Sequence, residues 1–596
     1  MLYCNSRFRV HGRLSERVFW REIKIGAVLK LGIIIGFEMG FAPALAQNTA
    51  PDIVGSLEQL RPSEERPALP KFDNDSTTSN FVLPPVVPPS SEQAPLSSQL
   101  KVYVNSYRID GSTVFSAEEL QKVWTPYAGR VVTSSELQQL RYELTLLYIN
   151  NGYINSGVII PDQQVIDGVI RLQVIEGEPT RIDVNGQQRL NSEYVSDRID
   201  LGGGKPLNIN SLRQNLQLLQ QNPLIKRINS RLEPGNKPGE SVLSVEIEED
   251  IPYRLGLTVD NHRSPSIGSI RGEINAAHLN LTGRGDSLSL RYGITEGLDD
   301  IGIRYALPLT ARDLTLSLEY EQSDSDVVEE PFDAIDIASE TRDFSVGLRY
   351  PVIKTLNRTF DLSLNLEKRK SKTFLLGDPF SFSDGVENGE SKVTVVRLIA
   401  DWVDRSEDQV IAARSTLSWG LDAWGATVGK GSLSGGEPDG KFVAWLGQFQ
   451  WARRFGENDN QMIFRTDAQF SRDPLLPLEQ FAVGGAASVR GFRENELVRD
   501  NGWVSSVELR IPVLHDEAGA SRTQLAGFLD YGRAWNEDRD TPEPKDISSA
   551  GLGVLWTPTD KLYMELYGAL PFRKLDHTEH DLQDSGIHFL LSYRFY

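Results

Sequence analysis

The chain has 596 residues, of which 39% are hydrophobic and 24% charged; that length suggests about two to four domains, and that balance supports folded ones. Its 62 Lys and Arg against 82 Asp and Glu give a net charge of −20, which argues against nucleic acid as a partner because phosphate neutralisation needs clustered cations. The single cysteine, Cys4, excludes a disulfide framework, a thiolate metal site or a thiol nucleophile from the rest of the chain.

Residues 1–46 read as a secretory signal peptide. Arg7, Arg9, Arg13, Arg17, Arg21 and Lys24 form a basic start, residues 25–41 are largely apolar, and Ala44-Leu45-Ala46 is a small-x-small cleavage site that leaves Gln47 first. Lys30 and Glu38 interrupt the apolar run, which argues against an uncleaved anchor. No other apolar run is long enough for a transmembrane helix, so any later crossing must use strands. Within residues 47–60, Ile53, Leu57 and Leu60 share one helical face. Residues 61–100 hold eight prolines, including Pro84-Pro85 and Pro88-Pro89, and read as an extended linker.

Residues 101–177 and 178–249 read as two small α/β modules, each ordered strand, helix, helix, strand, strand. In the first, Val102, Val104 and Ile109 lie in a strand-like segment. Ser116 with Glu119 and Thr133 with Glu136 are capping boxes that open its two helices. Gly152 caps the second helix, and Asp167-Gly168 marks a turn between strands near 157–160 and 169–175. In the second module, Ile182 and Val184 open a strand, helices fall near 192–200 and 211–221, and strands near 224–232 and 241–248 close it.

From residue 250 to 596 the pattern becomes long two-residue alternation. Leu314, Leu316, Leu318 and Tyr320 alternate with Thr315, Ser317 and Glu319, and Phe360, Leu362, Leu364 and Leu366 alternate with Asp361, Ser363 and Asn365. Strands of a soluble sandwich average about five or six residues; these run to about ten, the length that a tilted strand needs to cross a bilayer. About sixteen such segments run from 253–260 and 271–281 to 560–568 and 586–595. Short turns alternate with long connections (321–340, 370–391, 424–440 and 472–501), although 294–299 is short. The predicted fold class is therefore a transmembrane β-barrel of about 16 antiparallel strands, preceded by two periplasmic α/β domains. In the last segment Ile587, Phe589, Leu591, Tyr593 and Phe595 share a face. This is similar to the terminal strand signal of outer-membrane proteins, with one extra residue, Tyr596, after it.

Two barrel motifs stand out. Val489-Arg490-Gly491-Phe492 lies in the connection after the eleventh strand, and Phe528-Leu529-Asp530-Tyr531-Gly532 lies in the thirteenth. Strand parity puts Asp530 on the lumen face, since a carboxylate facing lipid is costly. A loop folded back into the barrel would bring Arg490 to Asp530, with Gly491 allowing a tight tip and Phe492 packing beside it. As a partly hydrated pair the two are expected to contribute ~1–3 kcal/mol.

On these motifs and this organisation the chain resembles the two-partner secretion transporters (TpsB type), the haemolysin and filamentous-haemagglutinin secretion family. The resemblance covers nearly the whole chain after the signal. It implies a plug helix within 47–60, a linker over 61–100, two polypeptide-transport-associated (POTRA) domains over 101–177 and 178–249, and a 16-strand outer-membrane barrel over 250–596. It also implies the partner: an unfolded secreted exoprotein such as an adhesin or cytolysin, handled by a barrel set in outer-membrane lipid. The alternative is a relative that inserts other barrels into the membrane; a passive porin does not explain the two periplasmic modules. No cofactor, nucleotide or metal is expected. Gly202-Gly203-Gly204-Lys205-Pro206 has the wrong spacing for a P-loop. His577 and His580 lack a third ligand, and no G-x-S-x-G element suggests an enzyme.

Overall fold

The computed structural model describes residue 72 and residues 101–383, 385–429, 437–515, 521–575, 577 and 580–596. The expected signal peptide, plug helix and proline-rich linker lie outside the described residues, except for Phe72 in the linker.

The first module comprises β1 (Lys101–Val104), β2 (Ser106–Asp110), α1 (Ala117–Trp124), β3 (Arg130–Thr133), α2 (Ser134–Asn150), β4 (Gly157–Ile159) and β5 (Val169–Ile175). Both capping boxes form, Ser116 with Glu119 and Thr133 with Glu136. Leu140, Leu144 and Tyr148 recur every four residues along α2, so one stripe of the helix packs on the sheet β2-β5-β4. The structure departs from the expected order in two places. The segment read as one opening strand is broken at Asn105, whose N–H donates to the Gly168 carbonyl at 2.7 Å. An additional strand, β3, sits between the helices and pairs with β1.

The second module comprises β6 (Glu178–Asn185), α3 (Ser192–Gly203), α4 (Ile209–Gln220), β7 (Ile225–Pro234) and β8 (Glu240–Glu249), with β8 central and parallel to β6. Val195, Ile199, Leu212, Leu216 and Val245 form its core. Backbone bonds join the modules: Ile209 N–H donates to the Gly152 carbonyl at 2.9 Å and Leu207 N–H to that of Gly177 at 2.7 Å.

Sixteen long strands then close into a barrel: β9 (Tyr253–Asp260), β10 (Arg271–His278), β11 (Ser287–Ile294), β12 (Leu298–Pro308), β13 (Thr315–Asp326), β14 (Ile337–Lys354), β15 (Arg358–Leu375), β16 (Glu390–Arg405), β17 (Gln409–Gly420), β18 (Val443–Phe455), β19 (Asn460–Ser471), β20 (Asn501–His515), β21 (Ser521–Trp535), β22 (Asp546–Thr559), β23 (Leu562–Pro571) and β24 (Ile587–Arg594). Each pairs antiparallel with the next. β24 closes on β9 from Leu590 opposite Asp260 to Arg594 opposite Gly256, so no edge is left open. Several strands outrun the expected segments. β13 and β14 stay paired out to Asp326 opposite Ala338, which turns much of the expected 321–340 loop into strand.

The outer face is apolar: Leu529, Leu552 and Leu570 are exposed there. The inner wall carries guanidinium–carboxylate pairs between neighbouring strands, including Arg271–Asp260 at 2.7 Å and Arg414–Asp401 at 2.6 Å. On the outside that alternation gives a lipid-facing band, and on the inside a charged lumen. At one end of the barrel the second module docks on the barrel turns. Asn191 N–H donates to the Gly283 carbonyl at 2.9 Å. Asp313 receives Arg198 at 2.6 Å and Lys354 at 2.5 Å.

Candidate functional site

The long connection 472–500 between β19 and β20 turns back into the lumen. Its two limbs pair as a small hairpin, Phe481–Val483 against Leu497–Arg499. Phe481, Val483, Val489, Phe492 and Leu497 pack against the wall residues Leu446, Val504, Ala534 and Ile547. These apolar contacts hold the loop inside the cylinder, and they bury Val489 and Phe492 on either side of the tip.

Arg490 sits at the tip and is bound on every side. Its Nε and Nη2 donate to the two Asp530 carboxylate oxygens at 2.8 and 2.9 Å, a bidentate fork, and its own backbone N–H adds a third bond at 3.1 Å. Nη1 donates to Glu508 at 2.5 Å and Nη2 to Ser506 Oγ at 3.1 Å. The guanidinium lies over the Phe528 ring, 3.5 Å from its centroid, and the Tyr567 ring lies 4.7 Å away. The Arg490 side chain is 5% exposed and those of Asp530 and Glu508 are 0% exposed. The partly hydrated pair expected from the sequence is therefore a dry cluster, because the apolar flanks of the loop keep water from it. Arg490 binds two carboxylates, of which Glu508 is shared with Arg510 Nε at 2.5 Å, and breaking a buried pair of this kind costs about 3–5 kcal/mol.

The lumen-side motif residues, Val489 to Phe492 with Phe528, Asp530 and Gly532, are brought together, each with a definable contact. Phe528 stacks on the guanidinium and Asp530 binds it. Gly532 leaves room for the loop: a Cβ there would lie 2.3 Å from Val483 Cγ1 and 2.8 Å from Val489 Cγ2. Gly491 has φ +90°, and a Cβ there would also press on Ala569 at 2.8 Å, so only glycine takes this turn without strain. Its N–H donates to His588 Nε2 on β24 at 2.9 Å.

Four partners escape sequence reasoning: Ser506, Glu508, Tyr567 and His588. Parity puts Ser506 and Glu508 on the lumen face. Only the register, which sets Ser506 directly opposite Asp530, shows that they reach Arg490. Among the described residues no group of three or more His, Cys, Asp or Glu is arranged to hold a metal ion.

Comparison with known proteins agrees with this architecture. Residues 102–177 match the ShlB-type POTRA domain, and residues 239–555, more than half of the chain, match the haemolysin secretion/activation protein family ShlB/FhaC/HecB. The chain is 22% identical to the outer membrane transporter CdiB of Dickeya dadantii (strain 3937) over 87% of its length and 89% of that protein. It is 26% identical to the hemolysin transporter protein ShlB of Serratia marcescens over 70% of its length and 73% of that protein. The solved structure of CdiB from Escherichia coli superposes with a TM-score of 0.64 at 19% identity, covering 86% of this chain and 94% of that one. The chain belongs to the haemolysin secretion/activation family, and it is an outer-membrane transporter of two-partner secretion with its POTRA modules in the periplasm.

Proposed function

We propose that the POTRA pair captures an unfolded exoprotein in the periplasm and feeds it through the barrel, and that the loop held by Arg490 governs the state of the pore. The observation that carries this reading is the desolvated Arg490 cluster. A loop placed in the lumen and fixed there by charge-assisted bonds is an element that must be held or moved for a chain to pass. The sheets of the two modules have edge strands, β2 and β4 in the first and β6 and β7 in the second, and an extended peptide can add to such an edge. Folding of the passenger outside the cell supplies direction in this scheme. The passenger is an adhesin, a cytolysin or a protein of similar kind, and the barrel works in outer-membrane lipid without a nucleotide.

The test is Arg490→Ala. The variant leaves Asp530 buried without the guanidinium that binds it and leaves Glu508 on Arg510 alone, and Arg490 lies in the loop, outside the sixteen paired strands. It should reach the membrane with an intact heat-modifiable band, and partner protein in the medium should fall by at least about tenfold, the effect of about 1.4 kcal/mol on an equilibrium. Secretion at the parental rate from a folded Arg490→Ala barrel rules out the role given to the cluster.

A further inference from the structure

Loop 472–500 touches charged residues of the wall at a second place, far from its tip. Glu479 lies near the root of the loop, and its side chain is 2% exposed. Both of its carboxylate oxygens accept from Arg397 Nη2 at 2.9 Å. Oε1 also accepts from Arg369 Nη1 at 3.0 Å, and the same nitrogen donates to the Leu478 carbonyl at 2.7 Å. Gln469 Nε2 donates to the Glu479 backbone carbonyl at 2.9 Å. The arginines belong to β15 and β16 and are themselves held by wall carboxylates, Arg369 by Asp343 at 3.1 Å and Arg397 by Glu367 at 2.8 Å.

The tip and the root are therefore fixed to different parts of the cylinder. The Arg490 side chain binds β20 and β21, whereas the Glu479 side chain binds β15 and β16, with β17, β18 and β19 between them along the wall. No residue of one cluster bonds directly to a residue of the other in the contacts described above. Sites without shared partners act additively in free energy. Neither the Val489–Phe492 motif nor the Phe528–Gly532 motif contains Glu479 or its arginines.

We propose that Glu479 is a second positioning residue, which anchors the root of the loop on Arg369 and Arg397 independently of the tip, so that the pore clears only when both anchors release. Freeing the tip alone leaves the root limb across the lumen. This rests on the reading of the loop as the element that occupies the pore, but not on the nature of the passenger.

The experiment is single-channel recording of the purified full-length protein in planar lipid bilayers, with no partner present, for the parent, Glu479→Ala, Arg490→Ala and the double variant. Each single change should raise the frequency of large openings about tenfold, and the double change should multiply the two effects. Glu479→Gln, which keeps an acceptor but loses the charge, should fall between parent and Glu479→Ala. Parental openings in a folded Glu479→Ala barrel, or a double variant no different from Arg490→Ala, overturn the proposal. If Glu479→Ala loses the folded, heat-modifiable band, Glu479→Gln is read by the same criteria. Loss of that band in both assigns Glu479 to the fold and also overturns it. Secretion is not measured here, so failure of the transport reading and failure of the second anchor remain separate results.

Discussion

A methyl group at Gly532 has no free space, because Val483 and Val489 of the loop already fill the position a Cβ would take. Gly532→Ala is predicted to lift the loop off β21 and weaken the Arg490–Asp530 bonds, reducing secretion severalfold while the barrel still folds. Gly568 on β23 is the matched control: nothing lies within 4 Å of a Cβ placed there, so Gly568→Ala should secrete as the parent does. Equal secretion by the two variants would show that the close approach at Gly532 has no functional weight. At this scale the sequence was legible wherever a motif named the residue. Arg490, Asp530 and both glycines were reached that way. Glu508 was not, because parity assigns a face to a side chain but not a neighbour; the neighbour follows from the stagger of β20 on β21. Glu479 carries no such signal at all, since it lies in irregular chain where no periodicity applies.

Helix α2 shows a local rule carried through to structure. Glu136 accepts from the Thr133 backbone N–H at 2.7 Å, from Arg130 at 2.6 Å and from the Thr133 hydroxyl at 2.9 Å. The Thr133 amide first, and then the Arg130 guanidinium, hold its carboxyl down to about 2 from an ordinary 4.5. A carboxylate whose value is depressed by folding stabilises the helix above its ordinary value, and that contribution is lost as the pH falls from about 4.5 towards 2. Glu136→Gln should therefore lower amide protection in the first turn of α2 at neutral pH, and the difference from the parent should close towards pH 2. Hydrogen exchange on the detergent-purified chain measures this; equal protection at neutral pH would contradict it. The same box explains why β3 was not anticipated. Its four residues end at Thr133, where the helix signal begins, and their partner β1 lies some thirty residues upstream, so a long-range pairing decided what local pattern could not. Strand ends were underestimated for a related reason: pairing such as Ser325 opposite Ser339 continues on polar residues that carry no apolar alternation.

Over the whole molecule, alternation alone specified the barrel, because each long segment had to present one apolar and one polar face and an even set of such strands can close. It did not give the seam, where β24 and β9 share a short register, nor the docking of the second module on the turns around Asp313. Both depend on contacts between residues far apart in the chain. The joint through Arg198 and Asp313 fixes the second module against the barrel turns, which is where the proposed capture of a passenger would deliver it.

Export of a dedicated passenger by this barrel can be tested on whole cells. The most direct measurement is a quantitative comparison of proteins in the culture medium and the outer membrane from cells with the gene deleted, with the gene restored, and with Arg490→Ala in its place. One large exoprotein should disappear from the medium on deletion, return on restoration and stay strongly reduced with Arg490→Ala, while other barrels remain in the membrane. An unchanged medium, or a general loss of barrels from the membrane, would contradict it.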